Sequence, residues 1–287
     1  ISDDGRNGLT IIAFLGSVFS PYYKSSGRHD PLDHAALNVA LYGPGARWTM
    51  TERPHAAVAQ ERDQLAIGPS AIRWVGDALE IDIEERDKRL GIPWQRRVQG
   101  KIRVIPEALN ARSFALDADA RHRWHCIAPR ARIEVEMIEP AVRWRGSAYL
   151  DSNFGGESLE DGFRVWHWSR AHHRRGATVF YEGIRRDGSP FASGLRFNSS
   201  GTAEEIDLPL VAPLPDTLWQ MERQTRADRG QARVIRTWED APFYARSTVE
   251  ARLDGEPVIA VQESLSLDRF RSPIVQFMLP YRMPRAR

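Results

Sequence analysis

The chain has 287 residues, 42% of them hydrophobic and 27% charged, a globular balance with room for one large domain or two of ordinary size. Its 40 basic and 38 acidic residues leave a formal net charge of +2 with no long basic block, so no electrostatic case exists for nucleic acid. The single cysteine, Cys126, excludes an intrachain disulfide framework and a cysteine-rich zinc site.

The chain opens on Ile1 rather than Met, and a first strand is expected to be missing. The apolar run "GLTIIAFLGSVFSPYY", residues 8 to 23, is broken by Gly16, Ser17, Ser20 and Pro21. It is too short for a spanning helix and lacks the charged lead of a signal peptide. Alternation then dominates. In "ALEIDIEER" Leu79, Ile81 and Ile83 share one face and Glu80, Asp82 and Glu84 the other. "RIEVEM" sets Ile133, Val135 and Met137 against Arg132, Glu134 and Glu136, and "TVEARL" sets Val249, Ala251 and Leu253 against Glu250 and Arg252. Hairpin turns are predicted at "GPG" (43 to 45), Gly76-Asp77, Asp187-Gly188 and Asp254-Gly255. "EDAPFYARS" carries a short turn signal, and "SLDRFRSPIVQFMLP" predicts a helix starting near Leu267. The pattern is all-β: amphipathic strands joined by short turns, which close into barrels or sandwiches. A small barrel takes about 150 residues, so there is room for two. The seam falls near "HCIAPRAR", residues 125 to 132, giving units 1–130 and 131–287.

Most catalytic signatures are missing. There is no GxSxG elbow, no P-loop, and no GxGxxG opening a helix. "HRWHC" offers His122, His125 and Cys126, but a strand would turn the two histidines to opposite sides, and no metal site is expected. "HHRR", residues 172 to 175, reads as a solvated loop tip, with an anion or membrane contact as its functional alternative. What remains is "AYLDSNFGG". Tyr149 and Asp151, two positions apart, share one face of an extended chain. Upstream, "RHRWHC" repeats the spacing with His122 and Trp124. A carboxyl among aromatic rings is costly unless paired or protonated, and a protonated carboxyl is an acid. Trp144, Phe154, Trp166 and Trp168 stand nearby in sequence as candidate substrate-lining rings. Plainer readings stay open: His122 as a hydrogen-bonded core residue, Asp151 as the acceptor of an Asx-turn at "DSNFGG", and Trp124 as core.

Longer strings carry a resemblance. "LTIIAFLGSVFSPYY", "DHAALNVALYG", "WTMTER", "RWVGDALEIDI", "FALD", "HRWHCIAPRARIEVE", "GSAYLDSNFG", "WHWSRAH" and "ESLSLDRFRSPIVQFMLPYRMPR" resemble the bacterial carotenoid 1,2-hydratases, or hydroxyneurosporene synthases, of the CrtC type. The insert "DKRLGIPWQRR", residues 87 to 97, departs from that pattern, and "KSSGRHDP" is shorter than the pattern expects. The resemblance implies two tandem lipocalin-like antiparallel β-barrels. It also implies a hydro-lyase that adds water to the terminal double bond of acyclic carotenoids such as neurosporene and lycopene, without a cofactor. It places the functional His-x-Trp and Tyr-x-Asp pairs on His122 with Trp124 and on Tyr149 with Asp151. Asp151 is then the expected proton donor, with Trp124 and Tyr149 offering ring faces to a cation and His122 handling water. The implied partners are the carotenoid and a membrane surface touched peripherally, on the bacterial cytoplasmic side, with no nucleic acid and no obligate protein partner. A polyene cyclase and a lipocalin-like carrier are the alternatives.

Overall fold

The computed structural model describes residues 1–87, 95–174 and 176–286. Its strands in chain order are β1 (Gly8–Leu15), β2 (Ala35–Tyr42), β3 (Arg47–Arg53), β4 (Val58–Gln60), β5 (Gln64–Ile67), β6 (Ser70–Val75), β7 (Ala78–Asp87), β8 (Arg96–Pro106), β9 (Phe114–Ala115) and β10 (His122–Glu139). They continue with β11 (Val142–Gly155), β12 (Phe163–His173), β13 (Gly176–Arg185), β14 (Pro190–Phe197), β15 (Ala203–Glu205), β16 (Val211–Leu214), β17 (Arg223–Arg226), β18 (Ala232–Asp240), β19 (Tyr244–Leu253) and β20 (Glu256–Ser266). Short helices are α1 (Pro21–Ser25), α2 (Leu159–Gly162), α3 (Leu267–Phe270) and α4 (Pro273–Arg282).

Two compact units divide the chain. The first holds Ile1–Pro106, Ala131–Ala148 and Gln276–Arg287, and the second holds Glu107–Arg130 and Tyr149–Val275. The seam drawn from the sequence therefore falls inside β10, whose 18 residues run on without a turn. The alternation of "HRWHCIAPRARIEVEM" changes phase there: even positions are buried from His122 to Ala128, then Pro129 and the odd positions from Ala131 to Met137, and the chain passes between the units at Arg130/Ala131.

In the first unit, antiparallel strands β1, β2 and β3 form one sheet. A second sheet runs in the order β11-β10-β8-β7-β6-β5-β4. On β7, Leu79, Ile81 and Ile83 are buried as the alternation predicts. The same face then carries Glu85 and Asp87, also buried, and each meets an arginine: Arg53 at 2.7 Å and Arg96 at 2.6 Å. Burying a carboxylate is tolerable only with such a partner. The C-terminal segment completes this unit. Glu52 N donates to Pro284 O at 3.0 Å and Ala286 N to Glu52 O at 2.7 Å. These bonds bring Arg285 to the buried Glu52 carboxylate, which Ser20 and His34 also contact, and Arg285 reaches Asp33 at 2.7 Å as well.

In the second unit, antiparallel strands run in the order β15-β14-β13-β12-β20-β19-β18, with β16 and β17 as a separate hairpin. Phe180, Val249, Leu253 and Val258 are among its buried core. Val249, Ala251 and Leu253 point inward, as "TVEARL" predicts. Asp254 and Gly255 both take positive φ, the geometry of a two-residue hairpin turn. The predicted helix is split into α3 and α4, with Pro273 opening the second piece.

Two local expectations need correction. "DSNFG" does not turn: β11 continues to Gly155, and Gly156 N donates to Arg121 O at 3.0 Å. "HHRR" is a solvated tip only in part: Arg174 is an exposed turn residue, but His172 and His173 finish β12, with His172 Nε2 at 3.0 Å from Pro129 O and His173 Nε2 at 3.0 Å from Thr178 Oγ1. Arg175, and residues 88–94 of the insert, lie outside the described residues.

Candidate functional site

The site is built within the second unit. Period-two geometry sends His122, Trp124 and Cys126 of β10 to one buried face. β11 lies beside β10 and presents Tyr149 and Asp151. The pairs meet at the carboxyl: Trp124 Nε1 donates to Asp151 Oδ2 at 2.9 Å, and the Tyr149 hydroxyl donates to the same oxygen at 3.1 Å. Oδ1 takes neither bond and is the oxygen left to carry a proton. These side-chain donors also displace the Asx-turn reading of Asp151.

Burial pushes the Asp151 carboxyl up to about 6. The Glu263 carboxylate pushes in the same direction, while the Trp124 and Tyr149 hydrogen bonds and the Arg170 guanidinium pull it down. Burial first, and then Asp151, hold the Tyr149 phenol far above its usual range, so it stays a donor. Arg170 is 8% exposed and lies over the Tyr149 ring, 5.0 Å from its centre. Trp168 packs against the same ring at 5.3 Å.

Aromatic side chains continue from there. The Trp124 ring meets Phe114 and Tyr181 at 5.7 Å and Phe197 at 6.4 Å. Trp166 meets Tyr181 at 5.4 Å and Phe163 at 6.0 Å. Of the four candidate lining residues, Trp166 and Trp168 thus join this layer. Phe154 is half exposed and enters no ring contact among the described residues. Trp144 belongs to the first unit, where it lines a groove of about 950 Å³ with charged Glu80, Asp82, Lys101 and Arg143. Parity explains both: 144 and 154 are even positions on the strand whose odd positions carry Tyr149 and Asp151.

His122 is placed differently. Its backbone N donates to Asp117 Oδ2 at 2.8 Å, and its ring stands edge-on to Phe163 at 4.8 Å. Its Nε2 is 3.3 Å from Glu157 Oε2, without hydrogen-bond alignment. Gly162 abuts this ring, and a Cβ there would collide with Nε2. Among the described residues no hydrogen bond joins His122 to Asp151. His125 lies on the other side of β10, with Nε2 at 2.7 Å from Asn110 O. Glu157, Arg170, Tyr181 and Glu263 were not singled out from the sequence. Only Arg170 left a signal, as the i+2 partner of Trp168.

A half-buried carboxyl with a raised pKa, held by two donors and backed by aromatic rings, thus sits on an all-β frame. The carotenoid hydratase CrtC profile matches residues 11–287, and the chain belongs to that family, an enzyme of the hydro-lyase class. An acyclic carotenoid 1,2-hydratase of Thiocapsa roseopersicina is 55% identical over 99% of this chain and 71% of its own length. One of Cereibacter sphaeroides is 42% identical over 96% of this chain and 98% of its own. Among solved structures, one described as an AttH of Nitrosomonas europaea superposes with a TM-score of 0.59 at 13% identity, covering 92% of this chain and 88% of that one. CghA with Sch210972 gives 0.56 at 11% identity, covering 93% and 86%. These two show the fold alone, the all-β lipocalin-like arrangement that the sequence predicts.

Proposed function

We propose that the chain adds water across the terminal C1–C2 double bond of an acyclic carotenoid such as lycopene or neurosporene, with Asp151 as the proton donor. The observation that carries this is the carboxyl itself, raised to about 6 by burial, with both of its side-chain donors, Trp124 and Tyr149, on Oδ2. Asp151 gives its proton to C2, leaving a tertiary cation at C1. Water attacks C1 and releases a proton. His122, with Glu157 behind it, is the candidate acceptor, and Asp151 is reprotonated from solvent. Arg170 already covers one face of Tyr149, so aromatic help to the cation falls on Trp166, Trp168 and Tyr181. Each ring contributes about 0.5–2 kcal/mol when desolvated, and that help speeds the reaction only where it is stronger in the transition state. Trp124 supports the carboxyl through its N–H rather than a ring face. The reaction needs no cofactor.

A C40 polyene resides in lipid, so the reading includes peripheral contact with the cytoplasmic face of a membrane. No helix among the described residues is long and apolar enough to cross one.

The test is product mass after incubating the full chain with lycopene or neurosporene in detergent or liposomes. Gain of one water supports hydration. Unchanged mass in a new product assigns cyclisation, and bound but unaltered carotenoid assigns a carrier. A second measurement probes the acid. Trp124→Phe removes an N–H that pulls the Asp151 pKa down, so the alkaline limb of the pH–rate profile should move to higher pH. An unmoved limb would uncouple Trp124 from the acid.

A further inference from the structure

The helix α4 is apolar on two sides. Val275 and Leu279 are buried, yet Ile274, Phe277, Met278 and Tyr281 are 74%, 68%, 46% and 43% exposed. Positions i, i+3, i+4 and i+7 form one stripe along a helix. The Phe277 and Tyr281 rings meet edge-on at 5.4 Å, so the stripe is continuous rather than scattered. Single exposed apolar residues need no explanation, but a contiguous stripe does.

Charge and size both favour lipid as the occupant. From Arg269 to Arg287 the sequence holds 5 arginines and no Asp or Glu; Arg285 is engaged by Glu52 and Asp33, while Arg269, Arg271 and Arg282 flank the stripe. That asymmetry complements an anionic bilayer. Four partly exposed side chains offer about a few hundred Å², short of the roughly 800 Å² per partner of a stable protein interface. A bilayer asks for no matching shape. It takes apolar side chains at shallow depth, with aromatic rings such as Tyr281 and Phe277 at headgroup level.

We propose that the stripe Ile274, Phe277, Met278 and Tyr281 docks the protein on an anionic lipid surface, with α4 lying in the interfacial plane. This deepens the reading of a lipid-dissolved substrate, on which it rests for its purpose but not for its geometry. The test is co-sedimentation of the full chain, without carotenoid, with phosphatidylcholine vesicles that contain or lack phosphatidylglycerol. The comparison is with Phe277→Ser/Met278→Ser and, separately, Ile274→Ser/Tyr281→Ser. All four positions are exposed, so thermal melts should match wild type and verify folding. Wild type should bind phosphatidylglycerol vesicles, more weakly as salt rises, and each double variant should lose about tenfold or more of that binding. Equal binding by the variants overturns the proposal, as does no binding by wild type. A concentration-dependent dimer that the substitutions dissolve also overturns it and assigns the stripe to a second copy of the chain. Hydration in detergent should survive in both variants. A wild type that binds vesicles but hydrates no carotenoid would count against the hydratase reading of the site, not against the docking stripe.

Discussion

Asp151→Asn should cut hydration by about 10²–10⁴-fold, the range for loss of a positioned general acid. The upper end is expected, because an isolated alkene is too weak a base to take its proton from water. The amide keeps an acceptor oxygen for Trp124 and Tyr149 but has no proton to give. In wild type the acid must be protonated, so the rate should fall about tenfold per pH unit above its pKa near 6. The same substitution should stabilise the fold. Native Asp151 sits near 6 against an ordinary value of 3.8, so the folded state holds the proton more tightly than the unfolded one. That advantage is complete below about pH 4 and is lost as pH rises to about 6. Above that, the buried charge costs on the order of 3 kcal/mol, a cost that Asn does not carry. Melting curves at about pH 8 should therefore show the variant more stable than wild type, with the gain fading toward pH 4. Lower activity with higher stability is the signature of a site that holds a group in an unfavourable state for its chemistry. Equal activity in variant and wild type would move the acid elsewhere.

Arg285→Ala should have the largest effect on stability. Glu52 is 1% exposed, and Arg285 is the arginine that reaches its carboxylate. Ser20 and His34 still contact Glu52 in the variant, but the guanidinium and its second contact to Asp33 are gone. Leaving a buried carboxylate short of its countercharge costs about 3–5 kcal/mol, which denaturant titration resolves easily. Adding Glu52→Gln to Arg285→Ala should recover part of the loss, because the group left behind is then neutral. If the double variant is no better than the single one, Arg285 acts through packing rather than charge.

Much of the frame is legible in the sequence, because strand alternation and hairpin residues are local signals. "ALEIDIEER" and "TVEARL" each reveal a buried face without reference to anything distant. The His122–Trp124 and Tyr149–Asp151 pairs are legible for the same reason, since period two fixes which residues share a side. Parity also excludes Trp144 and Phe154 from that side, a test that nearness in sequence does not supply. Arg170 and Glu263, which shift Asp151 in opposite directions, come from strands 19 and 112 positions further along the chain. No local pattern announces such partners. The passage of β10 between two compact units does leave a local mark, the change of phase at Ala128–Pro129, whereas nothing local announces that residues 276–287 return to the first unit.

The position of Arg285 bears on how the molecule is made. The arginine that neutralises Glu52 lies 233 residues downstream of it. Synthesis runs from the N-terminus at about 5–20 residues per second, so the emerging first unit waits on the order of ten seconds or more for its countercharge. By then every residue of the second unit has been translated. Of the two units, the one that begins earlier is also completed later, and until the segment around Arg285 arrives Glu52 lacks its arginine.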